Sequence, residues 1–347
     1  MKRFSVICVF AFALLMIVNS GDAFCFAVKG HELFYSKVFP ALFPFVVCVN
    51  TLSALKAFDC VGSGIFGTIL RFFIACLSGA PAGSILYSQS NDDIYKSVLS
   101  ALNNPPSPAF IISAVCVGML GGTGVLPAVL LSVSCYGSAL ILTILFSLFT
   151  RNEIFFSAKE DTRNGAIFPA QRSLVEVFPQ AVFDAVKTML KIEGMVVFFS
   201  VFAGMLTEFR LLNALPKGLQ ASLLGANEMT TGVLRITSLD IAPRLKYALT
   251  ACCLSFGGIC VFMQANAVSR VRALPYLVAK LIQSALSFAL CTLLFPLFFR
   301  GAAPVMSTTA QRMFTGGANA LGIILICATA SVFAILGAIF FTGRTRA

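Results

Sequence analysis

The chain has 347 residues, is 58% hydrophobic and 11% charged, and has a mean hydropathy of +0.92; soluble domains carry about 25% charged residues, so an ordinary soluble fold is excluded. One histidine and no tryptophan leave no basis for a His-rich metal site or a His-based triad. The net charge of +11 is spread thinly over loops, without the dense basic and aromatic patches of a nucleic-acid binder, and reads as topology charge and attraction to anionic lipid.

Residues 1–34 open with "MKRFSVICVFAFALLMIVNSGDA", a basic start followed by an apolar run from Phe4 to Val18. This reads as a first membrane helix. A cleaved signal peptide is the alternative, because Gly21 and Ala23 form a small-x-small ending. Residues 35–150 hold the apolar stretches 36–58, 64–89, 95–120 and 124–149, and form a first repeat. Residues 151–184 are a polar linker carrying Arg151, Lys159, Glu160, Asp161, Arg163 and Arg172, expected on the cytoplasmic side. A second repeat fills 185–300, and the C-terminal part, 301–347, contains a last apolar helix over about 321–341.

The two repeats match at four anchors in the same order. "LSGAPAGS" at 77–84 pairs with "LLGANEMTTG" at 223–232, and Lys96 pairs with Lys246. Pro127 pairs with Pro275, and "FSLF" at 146–149 with "FPLF" at 295–298. Each repeat also carries two interruptions. The first is a Gly-rich turn between short apolar runs, at Gly79, Pro81 and Gly83 in one half and at Gly225 and Gly232 in the other. Runs this short cannot cross about 30 Å of hydrocarbon, so re-entrant hairpins are expected. The second is a helix broken near its middle. Pro105, Pro106 and Pro108 forbid a regular helix in the first half, and Gly257-Gly258 weakens one in the second.

Unwound backbone at membrane depth is tolerated only inside protein or along a cavity, and paired interruptions in two halves point to a central transport site. The expected fold is therefore an all-α polytopic membrane protein. It has about eight spanning helices and two re-entrant hairpins in an inverted repeat. Basic residues at Lys2, Arg3, Lys187, Lys191, Arg270, Arg272, Arg344 and Arg346 place both ends in the cytoplasm, while Arg210, Lys217, Arg244, Arg300 and Arg312 oppose that orientation.

"LSGAPAGSILYSQ", "SALNNPPSPAFIISAVCVGML", "LLGANEMTTGVLRI" and "LSFGGICVFMQ" resemble the YlbJ-type sporulation integral membrane proteins, over roughly residues 35 to 300. Those proteins consist of two "nucleoside recognition" Gate domains, which are in turn similar to the hairpin-containing core of concentrative nucleoside transporters. The resemblance implies a bacterial cell membrane or sporulation membrane, a role in building the spore, and association with itself or with other sporulation membrane proteins. Of the residues with which the transporters read a nucleoside, the hairpin glutamate is matched by Glu228; the first hairpin, "SGAPAGS", has no Gln or acidic counterpart.

Glu228 is the residue most in need of a reason, since an ionisable side chain at mid-membrane costs about 2.5–3.5 kcal/mol on insertion scales. Two readings stand: a ligand for a solute hydroxyl or a proton, or a carboxylate that accepts bonds from its own hairpin amides and from Thr230 or Thr231. Asn227 stands beside it, and Asn103, Asn104, Ser107 and Ser255 would face it from the broken helices. These residues form the candidate site for a small polar solute such as a nucleoside or ion. It has no cofactor, and coupling to H⁺ or Na⁺ is compatible with it. Lys280 is expected to snorkel to the interface, Gln264 to bond between helices, and Glu193 to be interfacial. The twelve cysteines read as small packing residues. No P-loop, H-E-x-x-H or G-x-S-x-G motif is present, so no enzyme is expected. Two function classes remain, a solute-binding or translocating protein and a non-transporting scaffold for cortex or coat assembly.

Overall fold

A computed structural model of the chain describes residues 2–55, 65–88, 90, 92–121, 125–150, 173–209, 212 and 214–299. The expected C-terminal helix, positions 151–172 of the linker and the 122–124 loop lie outside the described residues. Every element among the described residues is helical.

The first helix, α1 (Lys2–Val18), meets α2 (Ser20–Leu33) at a bend of 101°. Asn19 marks the corner, its Nδ2 donating to the Leu15 carbonyl at 3.1 Å. A π-helical turn, Phe34–Val38, leads into α3 (Phe39–Ala54). Two short helices follow, α4 (Ile65–Ser78) and α5 (Ala82–Leu86). Next come α6 (Asp93–Leu102), started by Asp92 accepting from the Ile94 and Tyr95 amides, and a π-helical stretch, Phe110–Val117. The long α7 (Val125–Phe149) ends the first half.

The second half starts with α8 (Leu174–Glu208), a continuous helix of 35 residues opened by a capping box between Ser173 and Glu176. The expected boundary at 184/185 therefore falls inside one helix. After it come α9 (Lys217–Asn227), α10 (Met229–Thr237), α11 (Pro243–Phe256), α12 (Gly258–Ser269) and α13 (Ala273–Phe298). The order of α9 to α13 repeats that of α4 to α7: two short helices, two half-helices, one long helix.

Among the described residues four helices are long and apolar enough to cross a membrane: α7, α8, α11 with α12 taken together, and α13; the bent α1–α2 pair, counted as one span, makes a fifth. About eight crossings are expected from the sequence. Two further apolar helices, Leu42–Leu52 and Gly67–Leu77, fall short of spanning length, and α6 is split from its π-helical partner.

The centre of the molecule is where α11 packs on α13 and α13 on α7. Small residues let these backbones approach, among them Ala248 and Ala251 of α11 and Ser287 of α13, all fully buried. Leu130, Leu131, Ile111 and Leu254 fill the space around them. The opposite face of α13 presents Leu274, Leu281, Leu293 and Leu297 outward, as a lipid-facing surface requires. One helix thus has a dry polar-lined inner face and an apolar outer face.

Candidate functional site

In the first half, α6 stops at Leu102 because Pro105 and Pro106 supply no amide donors and clash one turn back. The carbonyls freed by the break find donors elsewhere. The Pro105 carbonyl accepts from the Ala80 amide at 3.1 Å, and the Pro106 carbonyl from the Tyr136 hydroxyl at 2.8 Å. The turn between α4 and α5 sits directly on this break. A Cβ at Gly83 would overlap the Asn103 carbonyl, so only glycine permits the approach. Asn104 ties the two together, its Oδ1 accepting from the Ser84 amide at 3.2 Å and its Nδ2 donating to Ser84 Oγ at 2.7 Å.

The second half repeats the arrangement with different chemistry. Glu228 is the N-cap of α10: Oε1 accepts from the Thr230 amide at 2.8 Å, and Oε2 accepts from the Thr231 amide at 2.8 Å and from Thr231 Oγ1 at 3.0 Å. A carboxylate suits a helix N-terminus, where amides are unsatisfied and the dipole is positive. Asn227 Nδ2 donates to the Phe199 carbonyl of α8 at 3.3 Å. The break between α11 and α12 is made by Gly257 and Gly258, with φ of +78° and +82°. A Cβ on Gly258 would stand 2.9 Å from the Asn227 carbonyl, so this hairpin tip also presses on its own repeat's break.

Both tips, the proline break and the first turns of α12 meet at one small cavity of about 50 Å³. Ala80, Pro106, Ser107, Glu228, Thr230 and Gln264 line it, with apolar side chains of α3 and α8 closing one side. That volume holds a few waters or one bare ion; pockets for organic ligands run to about 300–1,000 Å³.

Of the residues expected at the site, Ser107, Glu228 and Thr230 line this cavity. The others are engaged nearby: Asn104 with Ser84, Asn227 with α8, and Thr231 with Glu228. Asn103 Nδ2 donates to the Leu99 carbonyl at 2.9 Å. Ser255 contributes its carbonyl, described next, and Ser107 Oγ accepts from the Phe110 amide at 3.2 Å, restarting the chain after the prolines.

Lys280 corrects the sequence reading most. It does not snorkel: the residue is fully buried. Its Nζ donates to the Asn104 carbonyl at 3.2 Å, the Ser255 carbonyl at 3.1 Å and Gln283 Oε1 at 3.1 Å. The Ser255 carbonyl lies in the last turn of α11 and the Asn104 carbonyl in the break two residues beyond α6, one from each repeat. Helix ends leave such carbonyls without partners, and the ammonium has three donors to give them. The expectation for Gln264 is also revised: its Nε2 donates within α12, to Cys260 Sγ at 3.4 Å. Glu193 Oε1 lies 2.7 Å from Nδ1 of His31, the one histidine, and joins α8 to α2. Arg71, buried in α4, was not singled out from the sequence.

The chain is 25% identical over 322 residues to the sporulation integral membrane protein YlbJ of Bacillus subtilis (strain 168), in a match covering 79% of this chain and 78% of that protein. The apolar helices and this likeness agree. The chain is a multi-pass membrane protein. No known family profile matches it, and no solved structure does. Among the described residues, no group of three or more His, Cys, Asp or Glu side chains is placed to hold a metal ion, and the described cysteines are free thiols.

Proposed function

We propose that this protein serves in sporulation by binding a small polar solute or ion, and passing it across the membrane, where its hairpin tips and helix breaks meet. The observation that carries this reading is the convergence of both tips, the proline break and the start of α12, distant in sequence, on one cavity bearing the Glu228 carboxylate. Crossing helices for packing alone does not require four breaks in register. In this reading the α4–α5 and α9–α10 pairs are re-entrant. Their lengths of 14, 5, 11 and 9 residues rise only about 21, 8, 17 and 14 Å, against about 30 Å of hydrocarbon. The two repeats are then inverted Gate-type units, with the remaining crossings supplied by the shorter apolar helices. The likeness to YlbJ supports the sporulation setting.

The cavity's size suits an ion and is too small for a nucleoside. A nucleoside would enter only after a tip withdraws from its break, while an ion fits as it stands. A second reading, the non-transporting scaffold, draws support from Glu228 being satisfied by its own hairpin amides.

The deciding experiment uses proteoliposomes and a panel of nucleosides, nucleobases, amino acids and simple ions, with and without H⁺ and Na⁺ gradients. Gln264→Leu is the better site probe than Glu228→Gln, because Gln264 lines the cavity and caps nothing. Accumulation by the wild type, lowered at least tenfold by Gln264→Leu at unchanged thermal stability, supports the central site. No accumulation by folded wild type, together with normal sporulation of a Gln264→Leu strain, moves the assignment to the scaffold.

A further inference from the structure

The environment of Lys280 carries a conclusion that stands whether or not a solute crosses. Three neutral oxygens surround its Nζ at 3.1–3.2 Å, two of them backbone carbonyls and one an amide oxygen. Among the described residues no carboxylate pairs with it; its bonds are to the three neutral oxygens alone. What balances its charge is backbone. Each helix C-terminus is equivalent to roughly half a negative charge. The last turn of α11 and the freed carbonyl just beyond α6 therefore place partial negative charge against the ammonium. Neither helix has a basic residue of its own in its last turn.

Gln283 points the same way. It stands one turn along α13 from Lys280, turns its oxygen to the ammonium, and leaves its buried Nε2 without a partner. A buried amide nitrogen without a partner is costly, so this orientation is held by the positive charge. Around it lie Cys76 of α4 and Cys135 of α7. The same spacing that pairs Pro127 with Pro275 pairs Lys280 with Ser132, so the first repeat has no matching cation.

Unwound carbonyls and half-helix C-terminal ends are also what a broken-helix membrane protein offers to a dehydrated monovalent cation. We infer that the Asn104 carbonyl, the Ser255 carbonyl and Gln283 Oε1 form a monovalent-cation site that the protein fills permanently with the Lys280 ammonium. The tethered charge pins the two broken helices to each other across the repeats. It makes the fold independent of Na⁺ and K⁺ at this position. Any ion taken up at the Glu228 cavity is then a separate event.

The test is thermal unfolding of the full-length protein in detergent, followed with a thiol-reactive fluorogenic dye that reports exposure of the buried Cys76, Cys116 and Cys135. Wild type, Lys280→Ala and Lys280→Ser are compared in sodium, potassium and N-methylglucamine chloride at equal ionic strength. The expected result is equal Tm in all three salts for wild type. For the variants, Tm in N-methylglucamine falls and recovers saturably with Na⁺ or K⁺, by about 5 °C at a hundred times the dissociation constant. Adding Gln283→Leu to Lys280→Ala should abolish that recovery. A saturable Na⁺ or K⁺ effect on wild type that persists in Glu228→Gln would overturn the inference, since the site would then not be filled. So would folded variants with no cation-specific recovery, and so would the failure of both variants to accumulate folded in any of the salts.

Discussion

Glu228 does two things, and they can be separated. As a cap it accepts three bonds through both carboxylate oxygens. A glutamine in its place would accept with one oxygen and turn an amide nitrogen toward the other donor. Glu228→Gln should therefore lose about 2 kcal/mol of stability, seen as a lower Tm, before any question of solute arises. Gln264→Leu, which gives up only a long bond to sulfur, should leave Tm nearly unchanged. Gly83 supplies a sharper case. Because a Cβ there would overlap the Asn103 carbonyl, Gly83→Ala must separate the α4–α5 turn from the α6 break, at a cost of about 3 kcal/mol or more. If Gly83→Ala has wild-type stability by thermal unfolding, the close seating of tip on break is wrong.

Helices here are set by caps and breaks more than by amphipathic pattern, since lipid rewards apolar residues on every outward face. α8 owes its start to the Ser173–Glu176 box, and Ser173→Ala should lower stability by about 1 kcal/mol. Within the same helix Gly194 has open space where a Cβ would go. Gly194→Ala should stabilise by about 0.5–1 kcal/mol, and the two changes should add in thermal unfolding because they are far apart. This punctuation is also what was legible in the sequence. Pro105, Pro106, Gly257-Gly258 and the Gly79 turn fall at the helix breaks, because each acts on its own backbone. Gly225 and Gly232, expected at an interruption, instead lie inside α9 and α10, where they let the two backbones touch, and the break is at Glu228. Lys280 was misread for the opposite reason. Asn104, which it holds, is 176 residues away, and a lysine in an apolar run usually reaches the interface. Only the fold brings two sets of orphan carbonyls to it. Asn103 and Asn104 show the same limit: their composition marked a polar place, but their partners are Leu99, Ser84 and Lys280, and neither lines the cavity with Glu228.

At the scale of the whole molecule, the two halves share an order of elements, and an inverted pair carries a geometric consequence. Lys96 and Lys246, matched in the repeat, start the half-helices α6 and α11. The inverted arrangement proposed above requires them to lie on opposite sides of the membrane. In a background cleared of reactive thiols, Lys96→Cys and Lys246→Cys should react with an impermeant maleimide from opposite faces of oriented vesicles. Labelling of both from the same face would rule out the inverted arrangement while leaving the cavity geometry untouched.

The length of α8 has its own outcome. At 1.5 Å per residue its 35 residues extend about 52 Å. A helix that long would need to lean about 55° to stay inside 30 Å of hydrocarbon, beyond the 0–40° that spanning helices adopt. Some two and a half to four turns must therefore stand clear of the hydrocarbon. Asp184, Lys187 and Lys191 lie toward the N-terminal part, which makes that end the one to emerge. The protein would thus carry a mast, braced on α3 where Asn50 bonds the Ala181 carbonyl and joined to the cavity lining at Ile192 and Val196. A push or pull on the mast from the aqueous side would be felt at the hairpin tips without any ligand in between.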